Sequence, residues 1–199
     1  CRFVEVRPLG LGVVPATGRG RDWLMSAAHN ACALEPCPGS PRTRRGSGAI
    51  LARRQVAMIA GMNYELFMGE ALAEARQAAA RGAPAVGAIA VMNDAMVARG
   101  ANRVGEVSDP TAHAVVAALR EAARRLGSTR LSDVTIFTTI EPCPMCVGAL
   151  LECDAAALVY AAPNPVCGAA GTVIQLADSP GLGRRLDVVA GIRRAEAEE

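Results

Sequence analysis

The 199-residue sequence has no lysine, few aromatic residues and no long hydrophobic run. Aromatic side chains make up 3% of the chain, too few for a base-stacking platform of the kind that single-strand-binding proteins use. The apolar runs fall short of the roughly 18 residues that a membrane span needs, so we expect no membrane partner. The net charge of +2 is too small to indicate nucleic-acid binding by its field alone. A content of 51% hydrophobic residues is ordinary for a protein that folds around its own core.

Residues 1–61 differ in composition from the rest of the chain. Nine arginines oppose three acidic residues there, and five prolines and eight glycines are scattered without a period. Because no periodic apolar face persists between them, we predict that this segment is disordered or is a spurious N-terminal extension. Met62 stands directly before the first clear helical pattern and would serve as a start codon. We therefore expect the folded domain to span residues 62–199.

From Met62 onward, helical patterns alternate with short apolar runs. Two later helices are expected to begin at Asp109-Pro110 and at Pro142, because an N-capping aspartate and a proline at the first helical position favour helix initiation. A final helix or two is expected at the C-terminus. The predicted strands span residues 85–91, 95–98, 134–139 and 157–160. This alternation predicts an α/β sandwich with a mostly parallel part.

Two of the seven cysteines and one of the two histidines have the spacing of metal ligands. Cys143 and Cys146 are three residues apart, so both sulfurs lie on one helical face. A helix N-terminus favours the thiolate form of cysteine. With His113, at the other proline-opened helix, they form a ligand set that suits Zn²⁺ and leaves the fourth tetrahedral position open, as in catalytic zinc sites. We therefore predict one zinc ion per chain.

Other interpretations of the cysteines stay open at this point. A Cys-x-x-Cys pair can be a redox couple, or half of a structural zinc site that needs a fourth cysteine or histidine. Cys153 and Cys167 are most simply a buried thiol and a loop thiol. His29 with Cys32 and Cys37 forms a weak metal pattern that chance explains better.

The segments around the predicted ligands resemble the zinc-dependent cytidine and deoxycytidylate deaminase superfamily, whose signature is H-x-E followed by P-C-x-x-C. The resemblance covers about residues 62–196. Within the superfamily, the chain looks most like bacterial tRNA-specific adenosine deaminases and related nucleoside or guanine deaminases. The segments that carry it are residues 86–88, 101–103, 109–114, 141–149 and 168–171.

The resemblance implies a three-layer α/β/α sandwich around a five-stranded mixed sheet, with one Zn²⁺ per chain. It implies a cytoplasmic hydrolytic deaminase of adenosine in tRNA, or alternatively of guanine or a free nucleoside. The protein would be a homodimer, or a heterodimer with an active deaminase. Asn102 matches a substrate-contacting asparagine, and the backbone near Ala114 would approach the substrate. Asn164 is predicted to contact a sugar or flanking nucleotide, although loop asparagines more often cap turns.

One position departs from the family signature. The residue two after His113 is a glutamate in the signature and is Val115 here. The resemblance makes that glutamate the general acid/base, and valine has no titratable atom, so we expect very slow or absent turnover. Glu106, Asp109 and Glu141 are nearby acids, but none stands at the matching position.

Three accounts of Val115 remain open. It is a natural loss, as in a non-catalytic deaminase subunit, or a sequence fault, since one base separates the two codons, or a deliberate knockout that traps substrate. A non-catalytic module that presents nucleic acid to an active deaminase, and a plain structural zinc domain, are the alternatives to an enzyme. The uncharged loop 162–167 and the acidic C-terminus weaken the tRNA assignment relative to a free nucleoside or base.

Overall fold

The computed structural model describes residues 61–199. Residues 1–60, which make up all but the last residue of the predicted N-terminal extension and include the weak metal pattern of His29, Cys32 and Cys37, lie outside the described residues. Within residues 61–199, none of the helices combines the length and the apolar character that crossing a membrane requires. The elements are, in chain order, α1 (Tyr64–Ala80), β1 (Gly87–Met92), β2 (Ala95–Ala101), α2 (Val104–Val107), α3 (Ala114–Leu126), β3 (Thr135–Ile140), α4 (Pro144–Glu152), β4 (Ala157–Ala162), a 3₁₀ turn (Pro180–Leu182), β5 (Asp187–Ala190) and α5 (Arg194–Ala197).

The five strands form one mixed sheet in the order β2-β1-β3-β4-β5. Strand β1 pairs antiparallel with β2 and with β3, whereas β3 with β4 and β4 with β5 are parallel. Asn93 and Asp94 connect β1 to β2 with φ of 51° and 57°, a turn whose twist matches that of the flanking strands. The predicted five-stranded mixed sheet is confirmed.

Side chains alternate between the two faces of the sheet, and each face has its own apolar core. Ile89 and Phe137 are fully buried on the face that packs against α1. Ala88, Ile136 and Leu158 are fully buried on the opposite face, beneath α3 and α4. Complete burial of a side chain the size of isoleucine or phenylalanine contributes roughly 1.5–3 kcal/mol. The sheet between two helical layers gives the expected α/β/α arrangement.

Helix α3 begins later than the Asp109-Pro110 pattern predicts. The Asp109 carboxylate accepts hydrogen bonds from the Thr111 N–H at 2.8 Å and the Thr111 hydroxyl at 2.6 Å. These local bonds close a turn, which competes with helix initiation at this point. The helix starts instead at Ala114, so His113 occupies its N-cap position with extended φ and ψ of −71° and 152°.

Two other helix predictions also need correction. Helix α4 begins at Pro144 rather than Pro142, and Cys143 is its N-cap residue. The C-terminal region, predicted to be helical, contains strand β5 and the one-turn helix α5. The apolar content of so short a strand, only partly buried along its length, does not distinguish it from a helical turn in sequence.

Gly100 is required where β2 passes against the backbone of α3. A Cβ at Gly100 would overlap the carbonyl oxygen of Ala114 and the N–H of Ala118. We expect Gly100→Ala to lower the free energy of unfolding by about 1–3 kcal/mol, because α3 would have to shift. At Gly105 a Cβ would meet open space, so Gly105→Ala is the matched control. Urea unfolding followed by circular dichroism measures the free energy of unfolding of both variants. Equal losses of stability in the two variants would contradict the close approach of Gly100 to α3.

Candidate active site

His113, Cys143 and Cys146 converge at the N-terminal ends of α3 and α4. The Nδ1 atom of His113 lies 3.5 Å from Sγ of Cys143 and 3.6 Å from Sγ of Cys146. The two sulfur atoms are 3.7 Å apart. Among residues 61–199, these three side chains are the one group of histidine, cysteine and acidic residues close enough together to hold a metal ion. Two helix N-termini therefore bring together ligands that are 30 residues apart in the chain.

These separations match the edges of a tetrahedral zinc site. Bond lengths of about 2.3 Å for Zn–S and about 2.0–2.1 Å for Zn–N place two sulfurs about 3.8 Å apart, and a sulfur and a nitrogen about 3.6 Å apart. The three donor atoms thus fit Zn²⁺ without rearrangement. An imidazole within 3.6 Å of both sulfurs favours zinc over a redox pair. The three ligands found among residues 61–199 fill three of the four tetrahedral positions of a zinc ion.

Burial affects the ionisation of the Cys146 thiol. Desolvation, and then the neighbouring Cys143, raise the pKa of Cys146 well above its usual range. Because zinc binds the thiolate, zinc binding must displace the proton from this buried sulfur. The N-terminal ends of α3 and α4 face the triad with their partial positive charge, which stabilises the thiolates.

A cavity of about 180 Å³ opens beside the triad. Its walls include Asn102, Ala114 and Asn164, the residues that the sequence analysis predicts to contact substrate, and also Val115. A larger groove of about 790 Å³ runs along β2 and α3, but the smaller cavity contains the metal ligands and is therefore the candidate site. The structure brings all the predicted site residues together. Substrate contact by the three residues stays a prediction.

Val115 faces both the cavity and the core. It lies in the first turn of α3 and is 3% exposed. It packs in the apolar cluster beneath α3 and α4 while lining the cavity beside His113. An apolar side chain is compatible with both environments, so packing at position 115 does not require a charged residue.

The hydrogen-bond network fixes the orientation of both asparagine side chains in the cavity. The Oδ1 atom of Asn102 accepts from the N–H of Val104 at 3.2 Å. The Oδ1 atom of Asn164 accepts from the N–H groups of Val166 and Cys167 at 3.1 and 3.2 Å. These backbone donors fix which end of each amide is the oxygen, and the Asn102 oxygen, with one hydrogen bond, keeps a second acceptor site. Cys167, which the sequence analysis left as a plain loop thiol, receives an NH₂ hydrogen bond from Asn164 at 3.3 Å.

Glu141 holds the loop that carries Asn164, and it is the residue whose role the sequence analysis missed. Its side chain is 1% exposed. Its carboxylate accepts from the backbone N–H groups of Asn164 at 3.0 Å, Ala170 at 2.9 Å and Thr172 at 3.1 Å. Burial opposes ionisation, but the hydrogen bonds from Thr172 and the other donors outweigh it and hold the pKa of Glu141 below its usual value. Gly168 packs so closely against this carboxylate that a Cβ would overlap it.

Substitution of Glu141 tests this anchoring role. We expect Glu141→Gln to lower the free energy of unfolding by about 1–3 kcal/mol, because an amide NH₂ would face backbone N–H donors and leave them unpaired. Glu152, whose side chain is 86% exposed, provides the control substitution Glu152→Gln, expected to change stability by less than about 0.5 kcal/mol. Thermal unfolding at neutral pH compares the two. If Glu141→Gln lost no more stability than Glu152→Gln, the anchoring role of Glu141 would be contradicted.

Comparison with known proteins supports the chemistry of the site. Residues 61–162 match the family model of the cytidine and deoxycytidylate deaminase zinc-binding region. The tRNA-specific adenosine deaminase of Bacillus subtilis is 35% identical over 132 residues, which are 66% of this chain and 82% of that protein. The chloroplastic tRNA(adenine(34)) deaminase of Arabidopsis thaliana is 47% identical over 112 residues, or 56% of this chain, and this chain spans only 9% of its length.

A solved structure from studies of A-to-I editing by tRNA:A34 deaminases at the wobble position of transfer RNA has a similar fold. It superposes with a TM-score of 0.65 and 36% sequence identity. The match covers 66% of this chain and 96% of the other. The similarity therefore extends over nearly the whole of that chain.

Proposed function

Because the chain belongs to the cytidine and deoxycytidylate deaminase family, we propose that its site is built to deaminate adenosine in tRNA, with turnover made very slow or absent by Val115. The observation that carries this proposal is the convergence of His113, Cys143 and Cys146, with the separations of a zinc site, beside a cavity large enough to admit a base. The reaction adds water to the carbon that bears the amine and releases ammonia, which converts adenosine to inosine.

Different residues of the cavity have separate roles in this reaction. His113, Cys143 and Cys146 would hold a zinc ion, which would act as a Lewis acid and lower the pKa of water toward about 7. Asn102 and Asn164 form hydrogen bonds that orient the base, and the N-terminal end of α3 at Ala114 directs backbone N–H groups at the reacting centre. Val115 excludes solvent from the cavity but cannot hold or move a proton, so the transfer from water to the ring nitrogen and to the leaving amine has no carrier at this position.

Nearby acids are engaged elsewhere in the structure. Glu106 forms two hydrogen bonds with Arg103, at 3.0 and 2.8 Å. Asp109 closes the turn with Thr111, and the Glu141 carboxylate is occupied by backbone donors. These contacts support the proposal that none of these three acids carries the proton in place of a glutamate at position 115.

The choice of tRNA as substrate rests on relatives whose names specify tRNA together with adenine or adenosine. A second candidate function follows from Val115, which packs in the core as an ordinary valine. The chain would then be a non-catalytic subunit that binds RNA and pairs with an active deaminase. A homodimer remains the expectation for the catalytic form.

The two candidate functions are separated by assays on zinc-loaded protein. The original chain and Val115→Glu are incubated with tRNA, adenosine, cytidine and guanine, and products are quantified by mass spectrometry. We expect inosine in tRNA with the glutamate variant and little product with the original chain. A glutamate variant that is inert on every substrate would reject the enzymatic proposal, and product from free nucleosides only would reject tRNA.

A further inference from the structure

We infer that the groove along β2 and α3 binds the sugar-phosphate backbone of RNA next to the base that enters the cavity. The groove has a volume of about 790 Å³ and shares no lining residue with the cavity beside the metal triad. The inference rests on the proposed function, because it takes the base in the cavity to be part of an RNA. It derives from the distribution of arginines and from the position of the groove relative to the cavity.

Charge is unevenly distributed over the described part of the chain. Residues 61–199 contain sixteen acidic residues and twelve arginines, so this part is net negative at neutral pH. Six of the twelve arginines nevertheless line the groove, together with four acidic residues. Glu70 also pairs with Arg99 from outside the groove lining, at 3.2 Å, and positive charge remains in excess. A positive groove on an otherwise acidic surface concentrates the field that attracts a polyanion. The six arginines are Arg81, Arg99, Arg103, Arg120, Arg124 and Arg125.

Two of these arginines keep N–H donors that a phosphate could use. Arg81 is exposed, and its guanidinium forms no hydrogen bond or ion pair with the residues that the structure describes. The side chain of Arg124 is 74% exposed and donates to Glu121 through Nε at 3.0 Å and Nη2 at 2.8 Å. Within residues 61–199, its Nη1 atom has no partner. Because a guanidinium carries five N–H donors, Arg124 can bind a phosphate without leaving its carboxylate.

The arginines of α3 stand in a fixed row beside the groove. Arg120 and Arg124 are four residues apart, so they lie on one face of the helix. The Nη1 and Nη2 atoms of Arg120 are held by Asp109 at 3.3 Å and by Thr111 at 3.2 Å. Ala117, one turn earlier on the same face, also lines the groove, and its small side chain leaves room there. The row therefore presents positive charge to a ligand without large side-chain rearrangement.

The groove begins where the wall of the cavity ends. Ala101 and Arg103 line the groove, whereas Asn102 between them lines the cavity. At the other end of the β2–α3 connection, Ala112 lines the groove and His113 lines the cavity. The N–H of Arg103 donates to the carbonyl of Ala112 at 3.0 Å, which holds these two boundaries together. Consecutive Cα atoms are about 3.8 Å apart, so phosphates next to a base in the cavity come within reach of the groove.

Equilibrium binding of RNA tests the inference without turnover. Zinc-loaded full-length chain is titrated into a fluorescent tRNA transcript that has adenosine in its anticodon loop, and anisotropy is recorded at several salt concentrations. We expect the double variant Arg81→Gln/Arg124→Gln to bind at least about tenfold more weakly than the original chain, because two charge-assisted contacts are lost. The slope of log affinity against log salt should become shallower by about 1.4, since each single-strand phosphate contact contributes about 0.7.

A second double variant, Arg76→Gln/Arg130→Gln, is the matched control. It changes the net charge by the same amount and removes side chains that are 66% and 70% exposed but do not line the groove. We expect its tRNA affinity to stay within about twofold of the original. Both double variants should retain one zinc per chain and the unfolding temperature of the original, which shows that the fold is intact.

Three results would overturn the inference. The first is an equal loss of tRNA affinity in the two double variants, because net charge alone would then explain the binding. The second is a groove variant that binds tRNA as tightly as the original chain, or an original chain that does not bind tRNA at micromolar concentration. The third is polyglutamate displacing tRNA at an equal concentration of charge, which would indicate an acidic protein as the partner.

Failure of this inference is distinguishable from failure of the proposed function. If Val115→Glu produces inosine in tRNA while the groove variant binds tRNA as the original chain does, only the path of the RNA is wrong. If Val115→Glu is inert but the groove variant alone loses tRNA affinity, the groove binds RNA and the deaminase proposal fails.

Discussion

Val115→Glu is expected to raise the rate of adenosine deamination in tRNA by about 10²–10⁴-fold over the original chain. The new carboxylate would stand two residues after His113, on the wall of the cavity beside the triad, where it could take a proton from water and return it to the base. Single-turnover formation of inosine, with zinc-loaded protein in excess over tRNA, measures this change without interference from product release.

Val115→Gln is the matched control, because glutamine has the same length and shape as glutamate but cannot carry a proton in this pH range. Both variants place a polar group at a position that is 3% exposed, so each is expected to lower thermal stability to a similar extent. Activity in the glutamate variant alone would establish proton transfer. Brisk turnover by the original chain, or equal rates in the two variants, would contradict our account of Val115.

His113→Ala is expected to reduce the zinc content from about one ion per chain to nearly none. Loss of one of three protein donors removes more than the 10–100-fold in affinity that loss of a supporting residue typically costs. The original chain should also gain stability when zinc is added, by about 4 kcal/mol at a thousandfold excess over the dissociation constant. Metal analysis by mass spectrometry and calorimetric unfolding measure the two effects.

Cys153→Ser is the control for the zinc experiment. Cys153 is half-buried, and its thiol donates to the carbonyl of Leu150 at 3.4 Å, outside the metal cluster. We expect this variant to retain one zinc per chain and the stability that zinc confers. If His113→Ala also retained stoichiometric zinc, or if Cys153→Ser lost it, the assignment of ligands would be wrong.

Much of the site could be predicted because its chemistry is local. Cys143 and Cys146 share a helical face through their spacing, and both α3 and α4 begin directly after a ligand residue. The sequence patterns predict both helix starts too early, because they do not show which of the competing local hydrogen bonds forms. Asp109 stabilises a turn with Thr111 instead of capping a helix, and only the folded chain shows which contact prevails.

The contacts of the loop that carries Asn164 could not be predicted from the sequence in the same way. Glu141 accepts hydrogen bonds from residues 23, 29 and 31 positions further along the chain, and no short-range pattern encodes such contacts. The strand β5 was missed for a related reason, because four partly buried residues have little periodicity and depend on pairing with β4.

The sequence by itself determined the zinc ligands, the alternation of strands and helices, and the absence of a titratable side chain at position 115, because residue identity and short spacing specify these properties directly. The tertiary structure decided the separation of the ligands, the Glu141 anchor and the orientation of the two asparagines. These depend on atoms brought together from distant segments, and hydrogen-bond geometry is set only when the backbone donors of Val104, Val166 and Cys167 are in place.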